Sequence, residues 1–474
     1  MQKSSKIMLL FLVALSTSLY LIISSQEAKS QSNNLKSNEK IQYMSNQKNR
    51  LQNGPLSLST ALENDYLTST HRDGYLYVEV QADAIPLEST SRKPLNLSIV
   101  IDRSGSMAGE KIKNAKQAAK DVIDQLSEDD FVSIVMYDSE VDIVQRACKV
   151  VNKEKIKSLI NTIYDRGGTN LMGGAMLGYQ EVEKNYHPNR INRVLLLSDG
   201  LANEGITDPK KIDQIVRNKY EDDGIGISTF GVGRDYNETL MTAMAETGNG
   251  NYYFIDKAQD IASILRREIH GMSNVVAQHC VLQVELPKSV SIEKIVGCKY
   301  VIEKNIVNIT LRDIFSDETK GVLIKYNSSD NYKNSLTFST RLLYSFTSSQ
   351  EQLTLQTNNT CTYTNDENLY NDYYNEWVAT QVALFYSNEQ LEIAMEEVDK
   401  GNYEKARKLV DENKKYIQSK STLVSKSKEL QKAESANEDY VENIAVIESK
   451  PASEVKYIQK SSKSMNYQIR NKKK

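Results

Sequence analysis

The feature that most constrains the fold is an alternation of short apolar runs and amphipathic segments between residues 95 and 272. The apolar runs at residues 95–102, 131–137 and 193–198 are typical of strands that are buried on both faces. The segment at residues 109–126 places its apolar side chains on one helical face. Such strand–helix alternation, continued over about 180 residues, predicts an α/β domain with a doubly wound, mostly parallel sheet.

Strand-like segments flank this α/β unit on both sides. Residues 75–82 are dominated by aromatic and β-branched residues, and residues 273–350 contain several β-rich segments separated by turn residues. Because residues 75–82 would otherwise lack a partner, we expect residues 66–94 to join a small β-sandwich formed by residues 273–350. The α/β domain, residues 95–272, is then inserted in that sandwich or followed by it.

The rest of the chain differs in composition. Residues 366–425 have helical periodicity with a break at Gly401, which predicts a helical hairpin. Residues 31–65 and 426–474 are polar and rich in Lys, Ser and Asn. Both compositions favour disorder, so we predict a disordered spacer at residues 31–65 and a disordered polar tail at residues 426–474.

Residues 1–30 have the composition of an export signal. Lys3 and Lys6 precede an apolar run at residues 7–23, and residues 28–30 (AKS) match a small-x-small cleavage site. The run is almost long enough to span a bilayer, so an uncleaved N-terminal anchor is the alternative to a cleaved signal peptide. In both cases we expect an exported protein with an extracellular, periplasmic or cell-surface location.

Composition argues against several classes of function. Lys and Arg together number 59 against 62 for Asp and Glu, so no basic field indicates nucleic acid. The four histidines form no His-Glu-x-x-His motif, and the glycines complete neither a P-loop nor a dinucleotide fingerprint. Cys280 and Cys298 either pair in an oxidising compartment or remain thiols. Any chemistry is therefore expected to depend on oxygen ligands or on shape.

One polar motif occupies the position where an open α/β sheet binds its ligands. The sequence DRSGS at residues 102–106 directly follows the first buried strand and precedes a helix. It places the carboxylate of Asp102 and the hydroxyls of Ser104 and Ser106 in one tight turn. Such oxygen donors select Mg²⁺, with Mn²⁺ or Ca²⁺ as alternatives, over zinc or copper.

This motif resembles the metal-ion-dependent adhesion site (MIDAS) of von Willebrand factor type A domains, which is written Asp-x-Ser-x-Ser. Two later positions of that site have counterparts in Thr169 (in RGGTN) and Asp199 (in LSDG). The resemblance extends over about residues 96–270, and in outline it includes exported bacterial proteins related to inter-alpha-trypsin inhibitor heavy chains. It implies a Rossmann-like fold and a divalent ion with five site residues: Asp102, Ser104, Ser106, Thr169 and Asp199. Its direct ligands would be the hydroxyls, with the two carboxylates close by or acting through water.

The resemblance also implies a protein-binding module and no enzyme. Neutral direct ligands leave the ion positively charged, and an acidic side chain of a partner protein fills its open position. We therefore expect a metal-dependent adhesion or complex-assembly module whose protein partner offers an Asp or Glu carboxylate. Membrane contact is expected only through the N-terminal anchor. The alternatives are a membrane-linked regulatory or channel-associated subunit and a metal-assisted hydrolase; the lack of a general base such as His beside the ion speaks against the hydrolase.

Overall fold

The computed structural model describes most of the chain after residue 47. The described residues are 48–84, 92–272, 275–296, 298, 300–329, 335–346 and 351–470. The predicted signal peptide or anchor, residues 1–30, lies outside the described residues. No helix within the described part has the length and apolar character that a membrane crossing requires.

The described residues form three sheets and a set of helices. The strands are β1 (Asn49–Asn53), β2 (Leu56–Leu62), β3 (Tyr66–Leu67), β4 (Asp73–Ala82), β5 (Leu95–Asp102), β6 (Phe131–Tyr137), β7 (Val141–Lys149), β8 (Ile191–Ser198), β9 (Gly226–Val232), β10 (Tyr252–Ile255), β11 (Val275–Glu285), β12 (Val290–Val296), β13 (Tyr300–Glu303), β14 (Ile306–Phe315), β15 (Thr319–Ser328), β16 (Leu336–Phe346) and β17 (Leu353–Tyr363). The α-helices are α1 (Glu110–Gln125), α2 (Lys153–Ile160), α3 (Leu171–Glu183), α4 (Pro209–Glu221), α5 (Glu238–Thr247), α6 (Ile261–Met272), α7 (Glu367–Asp372), α8 (Glu376–Asp399), α9 (Tyr403–Ser419), α10 (Ser421–Lys426), α11 (Lys428–Ala445) and α12 (Ala452–Arg470).

The central sheet of the α/β domain has the strand order β10-β9-β8-β5-β6-β7. Neighbouring strands are parallel except for β6 and β7, which form an antiparallel pair. The apolar side chains of α1 and α6 pack on one face of the sheet, and those of α3, α4 and α5 pack on the other. Every residue of β5 and of β8 is buried because helices cover both faces. The predicted doubly wound α/β class is confirmed.

The α/β domain is inserted in the sequence of a two-sheet sandwich. One sheet has the order β1-β2-β4-β15-β12 and the other β13-β14-β11-β16-β17-β3. β4, which precedes the α/β domain, pairs antiparallel with β15, which follows it, so that Val78 lies opposite Val322. The sandwich continues through β17, beyond the predicted end at residue 350. Cys280 remains a buried thiol in this core.

The predicted disordered spacer is wrong for the part of residues 31–65 that the structure describes. β1 and β2 form an antiparallel hairpin, and every residue of β2 is buried. Leu56 and Leu58 belong to the sandwich core, while Thr60 shares a hydrogen bond of 2.9 Å with Thr357 across the two sheets. The average composition of the segment concealed a strand, because small polar side chains can be buried when they find hydrogen-bond partners.

The predicted disordered tail at residues 426–474 is also wrong for residues 426–470, the part of it that the structure describes. α11 and α12 pack on the hairpin of α8 and α9 and complete a helical bundle. Tyr440 of α11 donates a hydrogen bond of 2.5 Å to Gln459 of α12, and Gln459 in turn donates to the carbonyl of Met395 in α8 at 2.8 Å. The composition is polar because each helix buries only one stripe of apolar side chains. An average over the whole segment does not reveal such a stripe.

Glu63 lies where the sandwich meets the helical bundle, and its carboxyl makes the stability of the fold dependent on pH. Its carbonyl accepts a hydrogen bond of 2.7 Å from the backbone N–H of Asn375, next to α8. Burial raises the pKa of the Glu63 carboxyl from its ordinary value of 4.5 to about 6. The folded state therefore holds this proton more tightly than the unfolded state, so stability falls as the pH rises from the unfolded pKa through the folded one.

We expect Glu63→Gln to remove this pH-dependent loss. The variant should be more stable than the wild type above pH 6, by about 2 kcal/mol at most. At pH 4, where the carboxyl is mostly protonated in both states, the two proteins should have similar stability. Thermal unfolding at pH 4 and pH 7.5 measures the difference, and identical unfolding temperatures at pH 7.5 would contradict it.

Candidate metal centre

The five residues predicted from the motif converge at the carboxyl edge of the central sheet. Asp102 is the last residue of β5 and Asp199 directly follows β8, and these two strands are parallel neighbours. Ser104 and Ser106 lie in the turn between β5 and α1, and Thr169 lies just before α3. The ends of adjacent parallel strands meet at one edge, which brings distant segments of the chain together.

Asp102 is a buried carboxylate held by hydrogen bonds alone. Its Oδ1 accepts a bond of 2.8 Å from the backbone N–H of Ser104, and its Oδ2 accepts bonds from the hydroxyls of Ser198 (2.7 Å) and Tyr137 (3.3 Å). Burial raises the pKa of Asp102 to about 6, and no Lys or Arg among the described residues forms an ion pair with it. A buried carboxylate without an ion-pair partner is suited to contacting a bound cation.

The two serines connect the motif turn to the second carboxylate. Ser104 Oγ lies 3.1 Å from Ser106 Oγ, and Ser106 Oγ donates a hydrogen bond of 2.6 Å to Asp199 Oδ1. Asp102, Ser104 and Asp199 are buried, whereas Ser106 is exposed. The oxygen atoms therefore extend from the interior of the sheet edge to the surface.

Gly200 allows the Thr169 loop to approach this row of oxygens. A Cβ at residue 200 would lie 3.1 Å from Thr169 Oγ1 and 3.6 Å from Ser106 Oγ. The Thr169 N–H donates to Asn203 Oδ1 at 2.9 Å, and the Thr169 carbonyl accepts from the Asn203 N–H at 3.2 Å. These contacts hold the hydroxyl of Thr169 beside those of the motif turn.

A network of ion pairs fixes the same two loops, and the sequence analysis missed it. Arg103, within the motif, is 2% exposed, and its Nε lies 2.9 Å from Asp138 Oδ2. Arg166 Nε lies 2.8 Å from the same oxygen, and the Arg166 N–H donates to the Arg103 carbonyl at 2.7 Å. The network joins the motif turn, the end of β6 and the Thr169 loop. The only feature of the sequence that could have indicated this network was the charged residue Arg103 inside the motif.

Lys111 is a further residue at this edge that the motif did not reveal. Its Nζ lies 2.5 Å from Asp199 Oδ2 and donates a hydrogen bond of 3.2 Å to the carbonyl of Ser106. One carboxylate oxygen of Asp199 thus accepts a hydrogen bond from a hydroxyl, and the other contacts an ammonium group. Lys111 lies in the first turn of α1, one residue beyond its start.

This donor set fits a small divalent cation. Three hydroxyls and two carboxylates supply only oxygen atoms, which are the ligands of Mg²⁺, Mn²⁺ and Ca²⁺ in proteins. Asp102 and Asp199 bring two buried negative charges, and Lys111 brings one positive charge. The remaining negative charge favours a cation at this position.

Comparison with known proteins identifies the α/β domain, whose sheet edge forms the candidate site. Residues 96–267 match the family model of the von Willebrand factor type A domain. The α/β domain of this chain is therefore a von Willebrand factor type A domain, and domains of this family commonly bind a divalent metal.

Two curated proteins illustrate the extent of the sequence similarity. The chain is 36% identical over 192 residues to the uncharacterized protein YfbK of Escherichia coli. The aligned region covers 40% of this chain and 33% of YfbK. This chain is also 29% identical over 202 residues to inter-alpha-trypsin inhibitor heavy chain H3 of Rattus norvegicus. The aligned region covers 41% of this chain and 22% of that protein. The chain thus matches a third or less of the length of these two relatives.

Two solved structures match a larger share of this chain than these curated relatives do. A von Willebrand factor type A protein from Catenulispora acidiphila matches with a TM-score of 0.68 and 16% identity, over 88% of this chain and 98% of that one. The ArnB paralog VWA2 from Sulfolobus acidocaldarius matches with a TM-score of 0.56 and 16% identity, over 87% of this chain and 99% of that one. Both matches extend beyond residues 96–267, so the similarity of fold includes elements outside the α/β domain.

Proposed function

We propose that this chain is an exported protein-binding module whose capture of a partner depends on a divalent cation, with Mg²⁺ as the expected ion. The observation that carries the proposal is the buried carboxylate of Asp102, which accepts three hydrogen bonds and forms no ion pair with a Lys or Arg of the described residues, beside three hydroxyls at the edge of the sheet. Export is proposed from the composition of residues 1–30.

Each site residue has a defined part in this function. The hydroxyls of Ser104, Ser106 and Thr169 would hold the ion, and Asp102 and Asp199 would supply negative charge beside it. When bound, the ion offers an open, positively charged position to a carboxylate of the partner. Arg103 and Arg166 keep the two loops together through Asp138, so that the hydroxyls are already in place before binding.

The surroundings of the site suit contact with another protein. Leu201 and Ile206 lie on the loop that follows Asp199, and they are 58% and 39% exposed. Tyr164, on the loop that leads to Thr169, is 60% exposed. Exposed apolar side chains next to a charged centre are typical of surfaces that bind a partner protein.

Binding is better supported than catalysis because the carboxylates at this edge are already engaged. Both oxygens of Asp102 accept hydrogen bonds, and those of Asp199 accept from Ser106 and Lys111. A general base needs an oxygen that is available to take a proton from a substrate or from water.

We expect Ser104→Ala to lower Mg²⁺-dependent partner capture at least about tenfold, because one hydroxyl ligand is lost. The measurement is a crosslinked pull-down from an extracellular or cell-surface fraction, with the full chain as bait, in Mg²⁺ and in EDTA. Ser127→Ala is the matched control, because the Ser127 hydroxyl also bonds a buried carboxylate, that of Asp130, before β6 at the opposite edge. Equal capture in Mg²⁺ and in EDTA would show that the adhesion proposal is wrong.

A further inference from the structure

Lys111 places a fixed positive charge directly beside the candidate ion site. Its ammonium contacts Asp199 Oδ2 at 2.5 Å and the Ser106 carbonyl at 3.2 Å, so it bonds to two of the five site residues. The Lys111 side chain is 31% exposed, whereas that of Asp199 is fully buried. An ion pair with one buried partner is screened less by solvent than an exposed pair.

The loop after β9 accommodates this lysine. Gly233 has a φ of 77°, and a Cβ at that position would lie 3.4 Å from both Cε and Nζ of Lys111. The glycine backbone therefore runs close along the end of the lysine side chain. Lys111 is thus enclosed between the motif turn and the β9 loop, with its ammonium directed at Asp199.

The charges at the site have opposite consequences for a cation and for an anion. With Lys111, the three charged side chains sum to −1, and a divalent ion brings the total to +1. Without Lys111, the same groups sum to −2 before the ion binds and to zero afterwards. The lysine therefore disfavours the ion and favours an anionic ligand on the ion-loaded site.

We propose that Lys111 is a positioning and charge-balancing residue that weakens cation binding and strengthens the capture of a carboxylate by the loaded site. The proposal rests on the proposed function, since it concerns the same ion and the same class of ligand. It assigns to Lys111 two effects of opposite sign, which a merely structural contact with Asp199 would not produce.

The first measurement uses the metal alone. Isothermal titration calorimetry of the full chain with Mn²⁺ should give about tenfold tighter binding for Lys111→Met than for the wild type. Lys111→Arg keeps the charge and should stay near the wild type. Lys113→Met is the matched control, because Lys113 lies on the same helix, is 74% exposed and pairs only with the exposed Glu110 among the described residues; its effect should be less than about twofold.

The second measurement uses acetate as a simple carboxylate. With the Mn²⁺ site saturated, binding of acetate in place of water is followed through the relaxation of water protons. Lys111→Met should bind acetate several-fold more weakly than the wild type, while Lys113→Met and Lys111→Arg should not differ from it.

The outcomes distinguish the inference from the proposed function. If the wild type binds no divalent ion, both are wrong. If the wild type binds Mn²⁺ but Lys111→Met binds it equally or more weakly, the proposed function stands and the role of Lys111 is wrong. Tighter Mn²⁺ binding with unchanged acetate binding would also overturn the inference, because the two effects must occur together.

Discussion

Replacing Asp102 by Asn should weaken Mg²⁺ binding at least about 100-fold and leave the α/β domain folded. The amide has nearly the same shape, and the hydroxyls of Ser198 and Tyr137 can accept hydrogen bonds as well as donate them. The negative charge is lost, and with it the strongest attraction of the buried edge for a cation. Isothermal titration calorimetry gives the affinity directly.

Thermal unfolding provides a second measurement of the same prediction. A ligand that binds only the folded state stabilises it in proportion to its concentration relative to Kd, so Mg²⁺ should raise the unfolding temperature of the wild type and not of Asp102→Asn. Asp124→Asn is the control, because Asp124 also lies in the α/β domain but is 54% exposed and pairs with Lys157. If Asp102→Asn keeps the Mg²⁺ response of the wild type, the assignment of the ion site is wrong.

A chain that ends at Pro451 should lose about 4 kcal/mol or more of stability. This truncation removes α12, whose Ile458 belongs to the core of the helical bundle and whose Tyr467 belongs to the core of the α/β domain. It also removes Lys460, which donates a hydrogen bond of 2.9 Å to the Tyr236 carbonyl and lies 3.8 Å above the Tyr236 ring. The helix therefore stabilises two domains at once.

Differential scanning calorimetry of the truncated and full chains measures this effect. A chain that ends at Arg470 keeps every described contact of α12 and serves as the control. The expected result is a lower unfolding temperature for the α/β domain in the chain that ends at Pro451. An unchanged calorimetric profile would mean that α12 contributes nothing to either core, as a disordered tail would.

The α/β domain could be predicted from the sequence, and the candidate site could be proposed from it, because the signals of both are local. A buried strand requires an uninterrupted apolar run, as in β5 and β8, and the polar motif begins at the last residue of β5. Parallel pairing of adjacent strands then brings Asp102 and Asp199 to one edge, without any further information from the sequence.

The errors at β2 and at α11 and α12 have a common physical cause. Composition averaged over 30 to 50 residues does not distinguish a disordered segment from an amphipathic element whose apolar side has a partner elsewhere in the chain. β2 is ordered because β4 and the opposite sheet cover it, and α12 because α8 and β10 lie beside it. The opposite-sheet strand β17 is distant in sequence from β2, and both α8 and β10 are distant in sequence from α12.

The sequence by itself indicated the oxygen atoms of the candidate site and the loops on which they lie, since motif, strand and turn are consecutive in the chain. Only the tertiary structure decided the charge balance of the site, because Lys111 meets Asp199, and Asp138 and Arg166 meet the motif, through packing between segments that are distant in sequence. Electrostatic interactions depend on distance in space and on burial, and neither quantity is encoded locally. Similarly, only the tertiary structure showed that α11 and α12 are ordered helices, because this depends on the elements against which they pack.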